Sequence, residues 1–381
     1  MKPKIRIKGF TGEWKETTYG ESVTINSGMD YKHLSIGDIP VYGTGGYMLS
    51  VNESLSDTDA IGIGRKGTID KPQLLKAPFW TVDTLFFMTP QKGINLNFLF
   101  ALSQKTNWRK YDESTGVPSL SKVNIAKIDI KIPKEEEQKA IAFFFSSLDS
   151  LIQSTTKKIE SLKQVKAASL QSMFPQEGET TPRVRFKGFE GEWEKVTLGD
   201  CLTINSERNQ NNVYGINDVL SVSDEVGVVN QIKLLGRSYA GKSVANYRVL
   251  KTNQIVYTKS PLKSKPYGIV KVNKGSVGIV SVLYAVYDAK DDVCPDYIHY
   301  YFEPTYRINN YLLPLINKGA KNTMNISDEM ALRGYIWIPS FDEQKKIADY
   351  LQVLDSQITL HSQRLEKLKQ IKSACLDNMF V

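Results

Sequence analysis

Cysteine is scarce in this 381-residue chain: Cys201, Cys294 and Cys375 are all it has, and no two stand at CxxC spacing. Histidine is as rare, at His33, His299 and His361. That supply argues against a disulfide framework and a zinc site, and points to a reducing, cytoplasmic setting. No run of about 20 apolar residues occurs, and none follows the basic start at residues 1–8, so neither a membrane span nor a signal peptide is expected. The chain contains no GxGxxG opening a helix after a strand, and no (N/D)PP(Y/F) tetrapeptide. Dinucleotide binding and adenine methylation by the chain itself are therefore not expected. The carboxylates Asp291, Asp292 and Asp296 are interrupted by Cys294 and Pro295 and read as a surface loop. No catalytic residue, metal ligand or cofactor is assigned to this chain.

What the chain does have is a repeat. Residues 3–27 (PKIRIKGFTGEWKETTYGESVTINS) return at 182–206 (PRVRFKGFEGEWEKVTLGDCLTINS), 179 residues on, with 14 of 25 positions identical. Residues 132–174 return at 338–380, 206 residues on, with 20 of 43 identical. Between these matched ends the halves hardly resemble each other, and the larger second offset makes the second half longer. Repeated ends around diverged middles suit a two-armed reader, in which shared parts hold and orient and unshared parts discriminate. The length allows two domains of roughly 150 residues each plus connecting helices. A net charge of +8 and a pI near 9.0 point to a polyanionic partner.

From Glu135 to about Ser172 the chain has neither glycine nor proline, and Pro133 and Pro175 bound it. Leu148, Leu151, Thr155, Leu162, Val165 and Ser169 fall near a/d spacing, which predicts one helix of about 38 residues, roughly 57 Å long at 1.5 Å per residue. Its copy runs from about Asp342 to Asn378, with Leu354, Ile358, Leu365, Leu368 and Ile371 as the stripe. Neither stripe can face water along such a length, and each finds its partner in the other, as an antiparallel, coiled-coil-like pair about an approximate two-fold. The fold class expected is α+β with an internal repeat. Mixed, strand-rich domains occupy 1–134 and 182–340, long helices 135–174 and 341–381, and a polar linker 175–181.

Short β-branched runs at 5–7, 60–63, 84–88, 128–132, 219–222, 254–258, 278–287 and 335–338 predict strands, and one helix is expected in each domain, at 96–104 and 296–308. The loops carry the chemistry. IPVYGTGGY (39–47) places Tyr42 and Thr44 on a glycine-rich turn. GIGRKGTID (62–70) places Arg65, Lys66 and Thr68 on a tight turn between strands, where a backbone can approach a phosphate and cations can neutralise it. In the second domain YTKSPLKSKPYG (257–268) interleaves Lys259, Ser260, Lys263 and Lys265. INKGAKNTMNIS (316–327), with Lys318, Lys321 and Asn322, takes the place of DESTGVPSLSKVNIA (112–126), with Ser119, just before the closing strand and helix. Such hydroxyl, amide and ammonium groups suit base edges and phosphates.

These residues resemble a known family, the specificity subunit of Type I restriction–modification enzymes, over essentially the whole chain. The resemblance rests on the EQ pairs (Glu137–Gln138, Glu343–Gln344), the LDS triplets (148–150, 354–356), the KGFxGEW openings, the VYGTGG and GRKGTI turns and the closing MF pairs (Met173–Phe174, Met379–Phe380). It implies a non-catalytic subunit in which each of two target-recognition domains reads one half of a split, asymmetric site on double-stranded DNA. The family's two conserved helices would set the gap and recruit two adenine-methyltransferase subunits, joined in the full complex by restriction (motor–nuclease) subunits. S-adenosylmethionine, ATP and Mg would then reside on the partners. Phe143, Phe144, Phe145, Tyr350 and Leu351 exceed what one helix seam can bury, and are candidates either for methyltransferase contact or for the junction of helix and domain. The alternatives are a coiled-coil interaction scaffold that does not bind DNA, and a self-contained DNA-modifying enzyme.

Overall fold

The structure, a computed structural model, describes residues 2–241, 243–262, 264–318 and 324–381, with the backbone alone at 317, 318, 324 and 325. It divides into two compact units, one formed by Met1–Lys158 with His361–Val381 and the other by Ile159–Leu360. The two long helices, Glu135–Ser172 and Phe341–Met379, each contribute to both units. No helix among the described residues is long and apolar enough to cross a membrane.

Within the first unit, Lys15–Thr18 pairs antiparallel with Asp129–Ile132, with Lys15 opposite Ile132. Within the second, Glu194–Thr197 pairs with Tyr335–Ile338, with Glu194 opposite Ile338. These are the two ends of the sequence repeat, closed on each other in the same register. The diverged middles also share a topology. The first unit has a four-stranded sheet in the spatial order Val23–Ser27, Leu85–Pro90, Ala60–Gly64, Gln73–Leu75, and the second has Leu202–Ile204, Ala285–Ala289, Ile255–Tyr257, Val270–Val272, all neighbours antiparallel. Each sheet interrupts its chain between its first two sequential strands. There the first unit inserts the hairpin Ile36–Gly43/Gly46–Val51, and the second a longer excursion with the hairpin Leu220–Ser223/Gly227–Asn230.

The repeated EQ and LDS motifs turn out to be joints. Glu137 receives a two-pronged guanidinium contact from Arg6 (2.7 Å to each oxygen), and Glu343 receives the same from Arg185 (2.6 and 2.7 Å). Gln138 accepts the Asn95 N–H at the start of helix Leu96–Lys105 and donates to the Pro133 carbonyl; Gln344 accepts from Cys294 and donates to Pro339. These buried polar groups are satisfied as burial requires, so they fix the angle between helix and domain. The aspartates of the LDS triplets tie the helices together: Asp149 meets Lys372 in the first unit, and Asp355 meets Lys166 in the second. Together with Phe145 on Phe380 and Ser169 beside Tyr350, these contacts make the pairing antiparallel within each unit.

Three local expectations are corrected. Residues 5–7 form no strand; Ile5 N–H donates to the Asn378 carbonyl and Arg6 turns its side chain to Glu137. The single helix expected at 296–308 is two, Pro295–Phe302 and Thr305–Leu312, broken at Pro304, which has no N–H to continue the ladder. The run at 278–287 is likewise two strands, Gly278–Val280 and Ala285–Ala289.

Candidate nucleic-acid interface

In the first unit the structure brings together five of the six residues singled out there, with Tyr42 at the base of the adjoining hairpin tip. Arg65, Lys66 and Thr68 lie on the loop joining sheet strands Ala60–Gly64 and Gln73–Leu75. This loop is laced to the segment carrying Ser119: Gly67 N–H donates to the Pro118 carbonyl at 2.8 Å, Leu120 N–H donates to the Arg65 carbonyl at 2.9 Å, and Lys66 bridges to Ser119. A Cβ on Gly64 would sit 2.0 Å from the Thr68 carbonyl oxygen, so the turn closes only around glycine. The hairpin tip with Thr44 adjoins the same loop. The Gln73 amide holds the Gly43 and Thr44 carbonyls at 2.9 and 3.3 Å, and a Cβ on Gly67 would point at the Thr44 hydroxyl. Tyr42, half-buried at the base of the tip, sets its ring edge against the exposed Tyr47.

The Ser119 segment is ordered by Asp112, whose carboxylate accepts the N–H groups of Ser119 (2.9 Å) and Ser114 (3.0 Å) and the Ser114 hydroxyl. Those N–H groups, Ser119 first, hold the Asp112 carboxyl below the usual carboxylate range. Arg65 and Lys66 are exposed. The Arg65 guanidinium lies 5.9 Å from the centre of the Phe86 ring, and the Lys122 ammonium 5.8 Å from it. Lys122, absent from the sequence reading, thus joins the patch: nothing in its local text marks a lysine that only the fold carries to Arg65. Exposed cations beside a hydroxyl-bearing, uncharged hairpin tip make a surface that can neutralise phosphate and hydrogen-bond to base edges.

The second unit departs from expectation. Lys259, Ser260 and Lys265 lie on the equivalent loop, between Ile255–Tyr257 and Val270–Val272, but these two lysines are engaged inward. The Lys259 ammonium pairs with Asp328 at 2.6 Å, and Asp328 in turn holds Arg248 at 2.5 Å. Lys265 is buried at 7% exposure and donates to the Glu303 carbonyl, with Asp224 3.8 Å away; burial pulls its ammonium below the ordinary lysine range. Lys265 is therefore a structural residue and not a surface phosphate contact, because the aliphatic stem and charge are both used within the domain. Ser260 is half-buried. Lys318 sits on the short strand Asn317–Lys318, and Lys263, Lys321 and Asn322 lie outside the described residues.

The five helix positions also sort differently. Phe145 is 3% exposed and stacks on Phe380, and Leu351 is fully buried; both are core residues and cannot meet a partner. Tyr350 is half-buried against Phe186, and Phe144 against Phe145. Phe143 alone of the five is exposed, at 75%. Successive helical residues are about 100° apart, so three adjacent phenylalanines cannot share one face.

Comparison with known proteins places this arrangement. The profile of the Type I restriction modification DNA specificity domain matches the chain twice, over residues 12–164 and 190–370. The Type I restriction enzyme EcoprrI specificity subunit of Escherichia coli is 25% identical over 155 residues, 38% of either chain. The Type I restriction enzyme MjaIX specificity subunit of Methanocaldococcus jannaschii is 24% identical over 336 residues, 80% of this chain and 73% of the relative. The match thus spans 38% of the length of the first of these relatives. Among solved structures, the Type-I restriction-modification system S subunit from M. genitalium is similar with a TM-score of 0.69 at 13% identity, covering 100% of this chain and 99% of that one, a likeness of fold.

Proposed function

This chain belongs to the Type I restriction modification DNA specificity domain family and carries the domain twice, and on that premise we propose that each unit reads one half of a split, asymmetric site on double-stranded DNA. The observation that carries the reading is the first unit's patch, where exposed Arg65 and Lys66 stand beside Thr44, Thr68 and Ser119 on loops laced into one surface. In this reading the chain is non-catalytic. Two methyltransferase subunits, and restriction subunits in the full complex, supply the chemistry together with S-adenosylmethionine, ATP and Mg. Of the five helix positions considered for methyltransferase docking, exposed Phe143 is the one that supports it.

Selection of bound duplexes from a randomised pool tests the reading: two short fixed motifs separated by a fixed unread gap are expected. Arg65→Ala and Lys66→Ala should each flatten the plot of log affinity against log salt by about one unit if the side chain meets a phosphate. A salt-independent affinity in the parent chain would favour the scaffold alternative.

The long helices are proposed to set the gap. Four residues inserted after Glu160 alone would pull Lys166 out of line with Asp355, so the lengthening has to be made in both helices, after Glu160 and after Leu360. This leaves Asp149–Lys372 within one unit and Lys166–Asp355 within the other. About 6 Å of added helix corresponds to roughly two base pairs. The selected gap should widen by about that much with both half-sites unchanged; altered half-sites at a constant gap would refute the ruler.

A further inference from the structure

Among the described residues of the second unit's sheet loop, both lysines, Lys259 and Lys265, are turned inward, so they present no free cation there. The insertion between its first two sequential sheet strands does supply one. After the hairpin ending at Asn230 comes the short helix Gln231–Leu235, capped by the Asn230 side chain and closed by Gly236 at φ +76°. The chain then presents Arg237 and Tyr239 on a loop. The guanidinium carbon of Arg237 lies 4.6 Å from the centre of the Tyr239 ring, and both residues are exposed, Tyr239 at 60%. Arg237 has no acidic partner among the described residues.

The loop is not slack. The Gln231 side-chain carbonyl accepts the Tyr239 N–H at 2.7 Å and the Ser238 hydroxyl at 3.1 Å, while its amide donates to Ser221 on the hairpin at 3.2 Å. One half-buried glutamine therefore joins helix, loop and hairpin and holds the backbone that carries the tyrosine. The stacked tyrosine in turn limits the swing of the arginine. An unpaired guanidinium held on an aromatic face keeps its planar fork free and pre-organised, the arrangement that suits the O6 and N7 acceptors of guanine in the major groove. A lysine would offer charge without the fork. The corresponding insertion of the first unit presents the uncharged tip at Thr44 and Gly45, next to exposed cations on the sheet loop. The two units thus divide charge and hydrogen bonding differently between the same two slots.

We propose that Arg237, set by Tyr239 and Gln231, reads a guanine in the half-site of the second unit. This rests on the DNA-reading function proposed above. The test uses the full chain, in the complex it forms in its host, and a pool of duplexes randomised across both half-sites. Wild type should select a fixed guanine in one half-site. Arg237→Ala and Arg237→Lys should both reduce preference for that base by roughly ten- to hundredfold, leaving the other half-site and the gap unchanged. If Arg237→Lys behaves as wild type while Arg237→Ala weakens all sequences alike and lowers the salt slope, the residue is a phosphate contact and the assignment is overturned. Unchanged selection by both variants overturns it as well. If wild type itself selects no motif, the DNA-reading function fails first and Arg237 with it, an outcome distinct from either variant's behaviour.

Discussion

Phe174→Ala is expected to lower the unfolding free energy of the second unit by about 3–5 kcal/mol, and Phe380→Ala to do the same to the first. Phe174 ends the first half of the repeat and has no exposed surface. Its ring lies among Trp193, Tyr297 and Tyr301, at centroid distances of 6.3, 5.5 and 5.9 Å, with the Arg307 guanidinium 4.7 Å above it. Truncation removes a large buried side chain and leaves a cavity walled by rigid aromatics, which collapse poorly. Phe380 stands 206 residues later and fills the equivalent place beside Trp14, Phe98 and Phe145, at 6.2, 5.7 and 5.8 Å. Hydrogen exchange read separately over the two units measures the effect. Loss of protection confined to 159–360 for Phe174→Ala, and to 1–158 with 361–381 for Phe380→Ala, is the expected result. Equal loosening of both units by either variant would contradict the division.

Glu343→Ala should cost about 2–3 kcal/mol. The carboxylate is 1% exposed, and it bonds the Arg185 guanidinium at 2.6 and 2.7 Å. That contact, before any other influence, raises the Arg185 affinity for its proton, and a guanidinium is basic enough to remain charged when the glutamate is removed. A guanidinium left beside a dry pocket costs far more than the pair contributes as a pair. The arginine side chain keeps 18% exposure and bonds to the Gly191 carbonyl, so water and that carbonyl offset part of the loss. This places the cost below the range for a fully enclosed pair. A shift of the urea midpoint at constant slope would measure it, and an unshifted midpoint would show that the fork is ornamental to stability. Glu137→Ala, opposite Arg6, should behave alike in the first unit.

The sequence by itself determined the repeat, the long helices and the strands that close each half, because all three are written in local periods and in matched text. The offsets of 179 and 206 residues predict which residues are equivalent, and Arg6 with Glu137 and Arg185 with Glu343 obey them. The tight turn around Gly64, with Arg65 and Lys66 on it, followed from residue types suited to turns and cations. Four things were decided only by tertiary structure. One is the common sheet order of two middles that do not align, since strand order depends on pairings distant in sequence. A second is the fate of the second unit's lysines: Lys259 finds Asp328 69 residues away, and Lys265 finds Glu303 38 residues away. A third is the burial of Phe145 and Leu351, which the second helix and the domain cores impose. The last is Arg237, which only the fold lays on Tyr239. Charge and hydroxyl content can be counted along a chain, but whether a charge faces water is set by partners that only folding brings within a few ångströms.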